Sequence, residues 1–412
     1  MATSRGSIHH LIREDVTALL SASIKKNTTQ APSKADRNSA AREISAYFGA
    51  PYVHFFPFAR TSLFAVLKSL RLPPGSQVLM TPFNISPMLH VIKALKLTPV
   101  FVDINLEDFG PQYAELERKL RLKPSCFIMT YLFGAVPNIP LIVDLCGKYN
   151  VPLIEDISQV VGARHSGRYL GTFGMASIYS ASLTKYIDAY NGSFVLTSHP
   201  SVSADLARSE IKLLDPDPSR IRRIIQKTLF WNIALSRIFF SLVTFPLLRI
   251  IRYFSEASFQ RLLGPSISSD LSGPLPSYYF EDITLIQIKT ITNKLRSLQR
   301  LISSRRAHAN AMLSAISSSA LVEAGVLSVP ASQALSSSVF WQFIIEVSST
   351  TSARDILFQH RTETGITNLP NLALDSGVHL PNAQKLKSSF IFVPLHKHKT
   401  KDDYRDLLNV LK

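Results

Sequence analysis

Cysteine, acidic residues and long apolar runs are all scarce in this chain. Its 412 residues include only two cysteines, Cys126 and Cys146, both in apolar surroundings. That excludes a disulfide scaffold and leaves no zinc spacing, so no metal site is expected. Buried free thiols in a reducing compartment are the default. Met1 to Lys26 has no apolar core ahead of a small-residue cleavage site. It carries His9, His10, Arg13, Glu14 and Asp15 instead, so the expected location is cytoplasmic. The longest uncharged stretch of the apolar region, Ile238 to Leu248, is about half of the roughly 20 residues that a spanning helix needs. Acids number 29 against 45 lysines and arginines, a formal charge of +16. Such an excess suits an anionic substrate, an anionic membrane face or nucleic acid. No zinc finger, RNP-like aromatic pair or clear helix-turn-helix is present, so nucleic acid is not an expected partner.

From Phe48 onward, short apolar strands alternate with helical stretches. Strands are expected at Val53–Phe56, Ser76–Met80, Pro99–Val102, Cys126–Tyr131 and the run ending at Asp156. Helices are expected at Thr61–Leu70, His90–Leu95, Pro111–Leu120 and Pro140–Tyr149. This alternation predicts a largely parallel sheet covered on both faces, with ligands at the carboxyl ends of its strands. A helical and loop lead-in occupies 1–45, the large domain 46–202, and an apolar, basic helical insertion 203–277. In the insertion a helix over Ala204–Leu214 precedes Arg220, Arg222, Arg223 and Lys227, and Pro246 would kink the apolar run. Two readings of this region stay open. One is a buried insertion packed on the catalytic domain or on a partner subunit. The other is an interfacial segment that places 220–252 against an anionic membrane. Leu285, Ile288, Ile291, Leu295 and Leu298 recur at helical spacing, which marks helices over 278–319; the resemblance given below implies that they link two domains. The remainder, 320–412, mixes strands and helices as a smaller domain.

One ordered pair carries the chemistry. Val151 to Ile154 reads as a buried strand ending at Glu155-Asp156, and a serine and a lysine, Ser180 and Lys185, close the next strand end. Lys185 follows Asp156 by 29 residues, which fits one crossover between strands sharing a crevice. Pyridoxal phosphate needs this arrangement: a lysine for the Schiff base, an acid facing the pyridinium nitrogen and a hydroxyl for the phosphate. Taken alone, Lys185 reads as a loop lysine and Asp156 as a helix N-cap.

Several strings resemble the DegT-type sugar aminotransferases: Pro99-Val100-Phe101-Val102-Asp103-Ile104, Ile154 through Gln159, Gly171-Thr172-Phe173-Gly174, Tyr179-Ser180 through Lys185, Leu380-Pro381-Asn382-Ala383 and Val393-Pro394-Leu395-His396. The resemblance implies an α/β fold-type-I transferase: a large domain with a mostly parallel central sheet flanked by helices, plus a smaller α+β C-terminal domain. It implies pyridoxal 5'-phosphate as cofactor and a homodimer with sites at the subunit interface. It also implies glutamate as amino donor and a nucleotide-linked keto sugar as acceptor, for polysaccharide, glycolipid or secondary-metabolite biosynthesis. Residue by residue, Lys185 would be catalytic, Asp156 would meet the ring nitrogen, Gln159 the phenolic oxygen and Ser180 the phosphate. Thr61 and Ser62, at a helix start, would add phosphate contacts, with Arg60 where the family has glycine. Phe83 or Ile85 falls at the position of the stacking aromatic, and a flat ring favours Phe83. Two departures concern the substrate side: Tyr190-Asn191-Gly192-Ser193 replaces Gly-Glu-Gly-Gly, and Pro276 to Phe280 stands in for Tyr-Asn-Tyr-Arg. A dehydratase branch of this fold has histidine in place of the lysine, and Lys185 argues against it. The rival reading is a non-catalytic member of the fold acting as a scaffold at a membrane.

Overall fold

The computed structural model describes every residue except 5, 7, 209–210, 264–272, 318, 320–321, 323–326, 332–336, 368, 397 and 412. The expected boundary at 319/320 abuts residues outside the described set.

Seven strands form the central sheet: β1 (Tyr52–Phe56), β2 (Gln77–Met80), β3 (Thr98–Phe101), β4 (Cys126–Thr130), β5 (Leu153–Asp156), β8 (Ala176–Ser180) and β9 (Ser193–Thr197), with β6 (Arg164–His165) and β7 (Arg168–Tyr169) pairing apart as a small ribbon. The order is β1-β9-β8-β5-β4-β2-β3. The steps between β3, β2, β4, β5 and β8 are parallel, and only β9 runs against its neighbours. Side chains alternate across each strand, so the sheet divides its residues between two cores. Leu79, Phe127, Leu153, Tyr179 and Phe194 pack on one face with Ile44, Phe48, Ile291 and Leu295. Val78, Ile128, Ile154, Ile178 and Val195 pack on the other with Leu63, Val66, Leu89 and Val91. Both faces being buried explains why these strands read as continuous apolar runs.

The helix Lys34–Phe48 opens on a capping box between Ser33 and Asp36 and stops at Gly49, φ 71°. Helix Leu285–Ser317 joins the two ends of the molecule. Its first half enters the large core through Ile288 to Ile302, and its second half places Ala309, Met312 and Ile316 in the small-domain core. That smaller core backs an antiparallel sheet of β10 (Leu327–Ser328), β11 (Phe343–Val347) and β12 (Phe390–Val393).

Three local expectations are corrected. The helix expected from Pro111 begins at Tyr113, because Gln112 takes the N-cap and its side chain accepts from the Ala114 amide. The helix expected at Ala204–Leu214 is Pro200–Arg208, and it packs Val202 and Leu206 into the main core. Beyond it, helix Pro218–Ala234 leads to Arg237–Phe239, a π-turn over Phe240–Thr244 and helix Phe245–Phe254. Pro246 has no amide to give to the preceding turn, so the ladder widens ahead of it rather than kinking at it.

Candidate active site

The carboxyl ends of β4, β5 and β8 lie side by side and carry Thr130, Asp156 and Ser180. Glu155 and Asp156 point to opposite faces. Glu155 is fully buried and accepts from the Tyr131 hydroxyl at 2.8 Å and from the amides of Gly171, Phe173 and Gly174 at 2.7–2.9 Å. It is therefore a structural clamp. Asp156 is also buried and accepts from Asn84 Nδ2 at 3.1 Å and from the Ser158 amide at 3.1 Å. Asn84 also donates to Thr130 Oγ1 at 2.9 Å. Ser158 Oγ accepts from the Ser180 amide at 3.1 Å, and Ser180 Oγ donates to Ser182 Oγ at 3.1 Å. A continuous polar chain thus runs from Asp156 to the serines that precede Lys185.

Lys185 sits on a tightly tied loop. Asp188 accepts from the amides of Thr184 and Tyr190, each at 3.2 Å, and Tyr186 donates to Val339 O at 2.6 Å. The lysine amine lies 4.2 Å from the centre of the Trp341 ring. Burial lowers its pKa to about 8, while the nearby Asp156 carboxylate pulls the value back up. Near neutral pH the amine therefore exchanges a proton easily. Replacing Asp156 with asparagine removes this opposing influence. The pKa of Lys185 is then expected to fall further below about 8. The uncharged amine is the reactive form and persists above its pKa. The pH limb for covalent attachment of an aldehyde to apo-protein should therefore move to lower pH in the variant. A limb that stays put or moves up would sink this account of the Asp156–Lys185 pair.

The other expected site residues are more dispersed. Gln159 is buried and its Oε1 accepts from the Phe133 amide at 2.7 Å. Thr61 and Ser62 are both buried, and their hydroxyls are engaged elsewhere: Thr61 donates to Tyr279 O at 2.5 Å, and Ser62 Oγ pairs with Ser193 Oγ at 2.7 Å. Arg60 lies between rings, 4.0 Å from the Phe58 centre and 4.1 Å from that of Tyr279. Burial lowers its pKa, and its Nε has no hydrogen-bond partner among the described residues. Thr61 and Arg60 clasp Ser277–Phe280 against their own helix, Ala59–Ser69, while Ser62 ties that helix to β9. Phe83 is completely buried in the core and bridges by its backbone to Asn371. Its ring is a core ring here, and Ile85 is half-buried at the cap of the next helix.

Sequence reasoning missed Asn84 and Trp341. Asn84 stood inside the quoted loop but carried no motif. Trp341 comes from the small domain, and nothing local ties it to Lys185. The departure at 190–193 also has a structural account. Tyr190 and Asn191 both adopt left-handed backbone, φ 58° and 72°, where glycine is free. Tyr190 is buried, donates to Asp15 Oδ1 at 2.9 Å, and lies under the His10 ring at 4.7 Å. The strained turn is thus pinned by the N-terminal helix Ile12–Ile24.

A sequence model of the DegT/DnrJ/EryC1/StrS aminotransferase family matches residues 11–211, just under half of the chain. Over that span the chain resembles this family. Among curated relatives of the family, GDP-perosamine synthase of Escherichia coli O157:H7 is 28% identical over 137 residues, 33% of this chain and 38% of that protein. The chain spans about two fifths of the length of the curated relatives it matches. Among solved structures, a DegT DnrJ EryC1 StrS aminotransferase from Brucella abortus superposes with a TM-score of 0.70 at 17% identity, covering 97% of this chain and 95% of its own. The E coli GDP-4-keto-6-deoxy-D-mannose-3-dehydratase with bound hydrated PLP also gives 0.70, at 17% identity and 98% and 97% coverage. At that identity the likeness speaks for the fold.

Proposed function

We propose that this protein is a pyridoxal phosphate-dependent aminotransferase that moves an amino group from glutamate to a keto sugar on a phosphorylated carrier. In the names of relatives that carrier is a nucleotide. The observation that carries this reading is the desolvated Lys185 amine, with a pKa of about 8, answering to Asp156 at the carboxyl edge of the sheet.

The residues present fit the cofactor. Lys185 would hold it covalently, Asp156 would meet its ring nitrogen, and the hydroxyls of Ser180 and Ser182 would donate to its phosphate. Once bound, the cofactor supplies an electron sink that weakens the C–H bond beside the transferred nitrogen. The protein's share is proton handling and solvent control. Lys185, poised near neutrality, takes and returns the proton at that carbon. Asn84 and the Ser158 amide hold the Asp156 carboxyl in place, and the Trp341 ring keeps water from one side of the amine. Family resemblance supports a homodimer. Thr61 would contribute through its first-turn amide, since its hydroxyl is engaged, whereas the Ser62 amide already donates to Phe58 O at 3.0 Å.

The test is the visible spectrum of protein supplied with pyridoxal phosphate. A new band should form and then shift to shorter wavelength when glutamate is added, without any acceptor. A protein that takes up no cofactor refutes the enzyme reading and favours a scaffold. A band that ignores glutamate refutes the donor.

A further inference from the structure

A cavity of about 720 Å³ lies between the hairpin of residues 218–254 and the body of the protein. Trp231, Phe240 and Leu247 wall it on the hairpin side, Val393 and Leu395 on the other. It extends to Leu183, Thr184 and Trp341, and so reaches the ring that lies beside the Lys185 amine. Its volume is within the range of pockets that enclose most of a ligand, roughly 300–1,000 Å³. The His9 imidazole on its wall is kept uncharged, because burial and then the Arg305 cation lower its pKa to about 3.

The outer face of the same hairpin is apolar as well. Ile238 is 65% exposed, Leu242 71%, Tyr253 85% and Phe254 80%. Helix Ile12–Ile24, packed on helix Pro218–Ala234, continues this surface with exposed Ile12, Val16, Leu20 and Ile24, while it buries Asp15. No single described helix is long and apolar enough to cross a membrane, and the two halves of the hairpin bend by 61°. At the bend, Thr244 donates to Ala234 O and Ser241 to Arg237 O, each at 2.8 Å. The Thr244 hydroxyl thus takes the Ala234 carbonyl at the break, which suits a place where water is scarce. Arg222, Lys227, Arg237 and Arg249 lie on the same helices with no carboxylate in ion-pair reach among the described residues. Exposed apolar side chains interleaved with unpaired cations match an anionic lipid surface.

We propose that the cavity binds the apolar chain of a phosphorylated lipid, that the hairpin seats in the surface of one leaflet, and that the acceptor sugar arrives on that chain. This rests on the aminotransferase reading and changes its carrier from a nucleotide to a lipid phosphate.

Both tryptophans of the chain, Trp231 and Trp341, line the cavity, so tryptophan emission reports on it directly. Holoprotein titrated with a terminally brominated dodecyl phosphate should lose emission saturably, and the unbrominated chain should compete. Trp231→Phe and Trp341→Phe should each remove part of the quenching. Val243→Arg, at a partly exposed wall position, should weaken binding at least about tenfold, because it brings a charge into an apolar site. The visible cofactor band serves as its folding control. Cosedimentation should be strong with vesicles containing phosphatidylglycerol, weak with phosphatidylcholine alone, and reduced in Val243→Arg. Absence of saturable quenching in the wild type overturns the proposal. So does loss of a dimer in Val243→Arg with vesicle binding unchanged, since a second copy would then cover this face. Quenching with a cofactor band that ignores glutamate supports the lipid site and removes the aminotransferase reading beneath it.

Discussion

Lys185→Ala should take up no cofactor covalently and should lose transamination by at least about 10⁴-fold, the upper end of what a positioned proton-transfer group contributes. Covalent attachment is lost on top of that. The fold should survive, because no side-chain hydrogen bond or ion pair anchors the amine among the described residues, and its nearest named neighbour is the Trp341 ring. Circular dichroism and the thermal transition should match those of the wild type. Residual activity above about 1% would place the proton transfer on another group. The variant should also separate binding from chemistry. Asp156, Asn84 and Ser180 remain in place, so reversible uptake of the cofactor should persist.

Glu155→Ala should be the most destabilising single change in the sheet. The carboxylate is buried, and burial raises its pKa while the amides of Gly174, Gly171 and Phe173 pull it back. Alanine leaves those three amides and the Tyr131 hydroxyl without their acceptor. Each unsatisfied buried donor costs about 1–3 kcal/mol. The summed loss of more than about 4 kcal/mol would consume much of the 5–15 kcal/mol by which folded proteins typically persist. Glu155→Gln keeps the shape and one acceptor oxygen but turns an NH₂ toward donors, so an intermediate loss is expected. Denaturant unfolding of the three proteins decides. A loss under about 1 kcal/mol for alanine would mean that water or a rearranged loop replaces the carboxylate.

These two neighbours show what can be read from the chain. Glu155 and Asp156 differ by one position, and the period of a strand sends them to opposite faces. The order of strand, acid, serine and lysine was therefore visible in local strings. So was the parallel sheet, because doubly covered strands leave continuous apolar runs. What stayed hidden depends on contacts between distant positions. Thr61 looked like a phosphate ligand at a helix start, yet its partner is Tyr279, which no local pattern links to it. Trp341 reaches Lys185 from another domain. The ring of Phe83 lies in the core, and its backbone pairs with the distant Asn371. Of the small-domain strands, expected at Phe340–Val347 and Phe390–Val393 where apolar residues cluster, the second has those bounds and the first begins only at Phe343. The π-turn before Pro246 was not, because a missing amide can be answered by several ladders.

The long helix that joins the two cores also sets a schedule for synthesis. The last strand of the central sheet ends at Thr197, but one face of that sheet, covered until then only in part by Ile44, Phe48, Leu116 and Ile142, is not closed until Ile288, Ile291, Leu295, Leu298 and Ile302 arrive. About a hundred residues separate the two, on the order of 5–20 s of translation. For that interval a nascent sheet presents a greasy face outside the ribosome, with the equally apolar hairpin emerging beside it. Yield in a cell should therefore depend on holding chaperones and on elongation rate more steeply than the finished protein's stability would suggest.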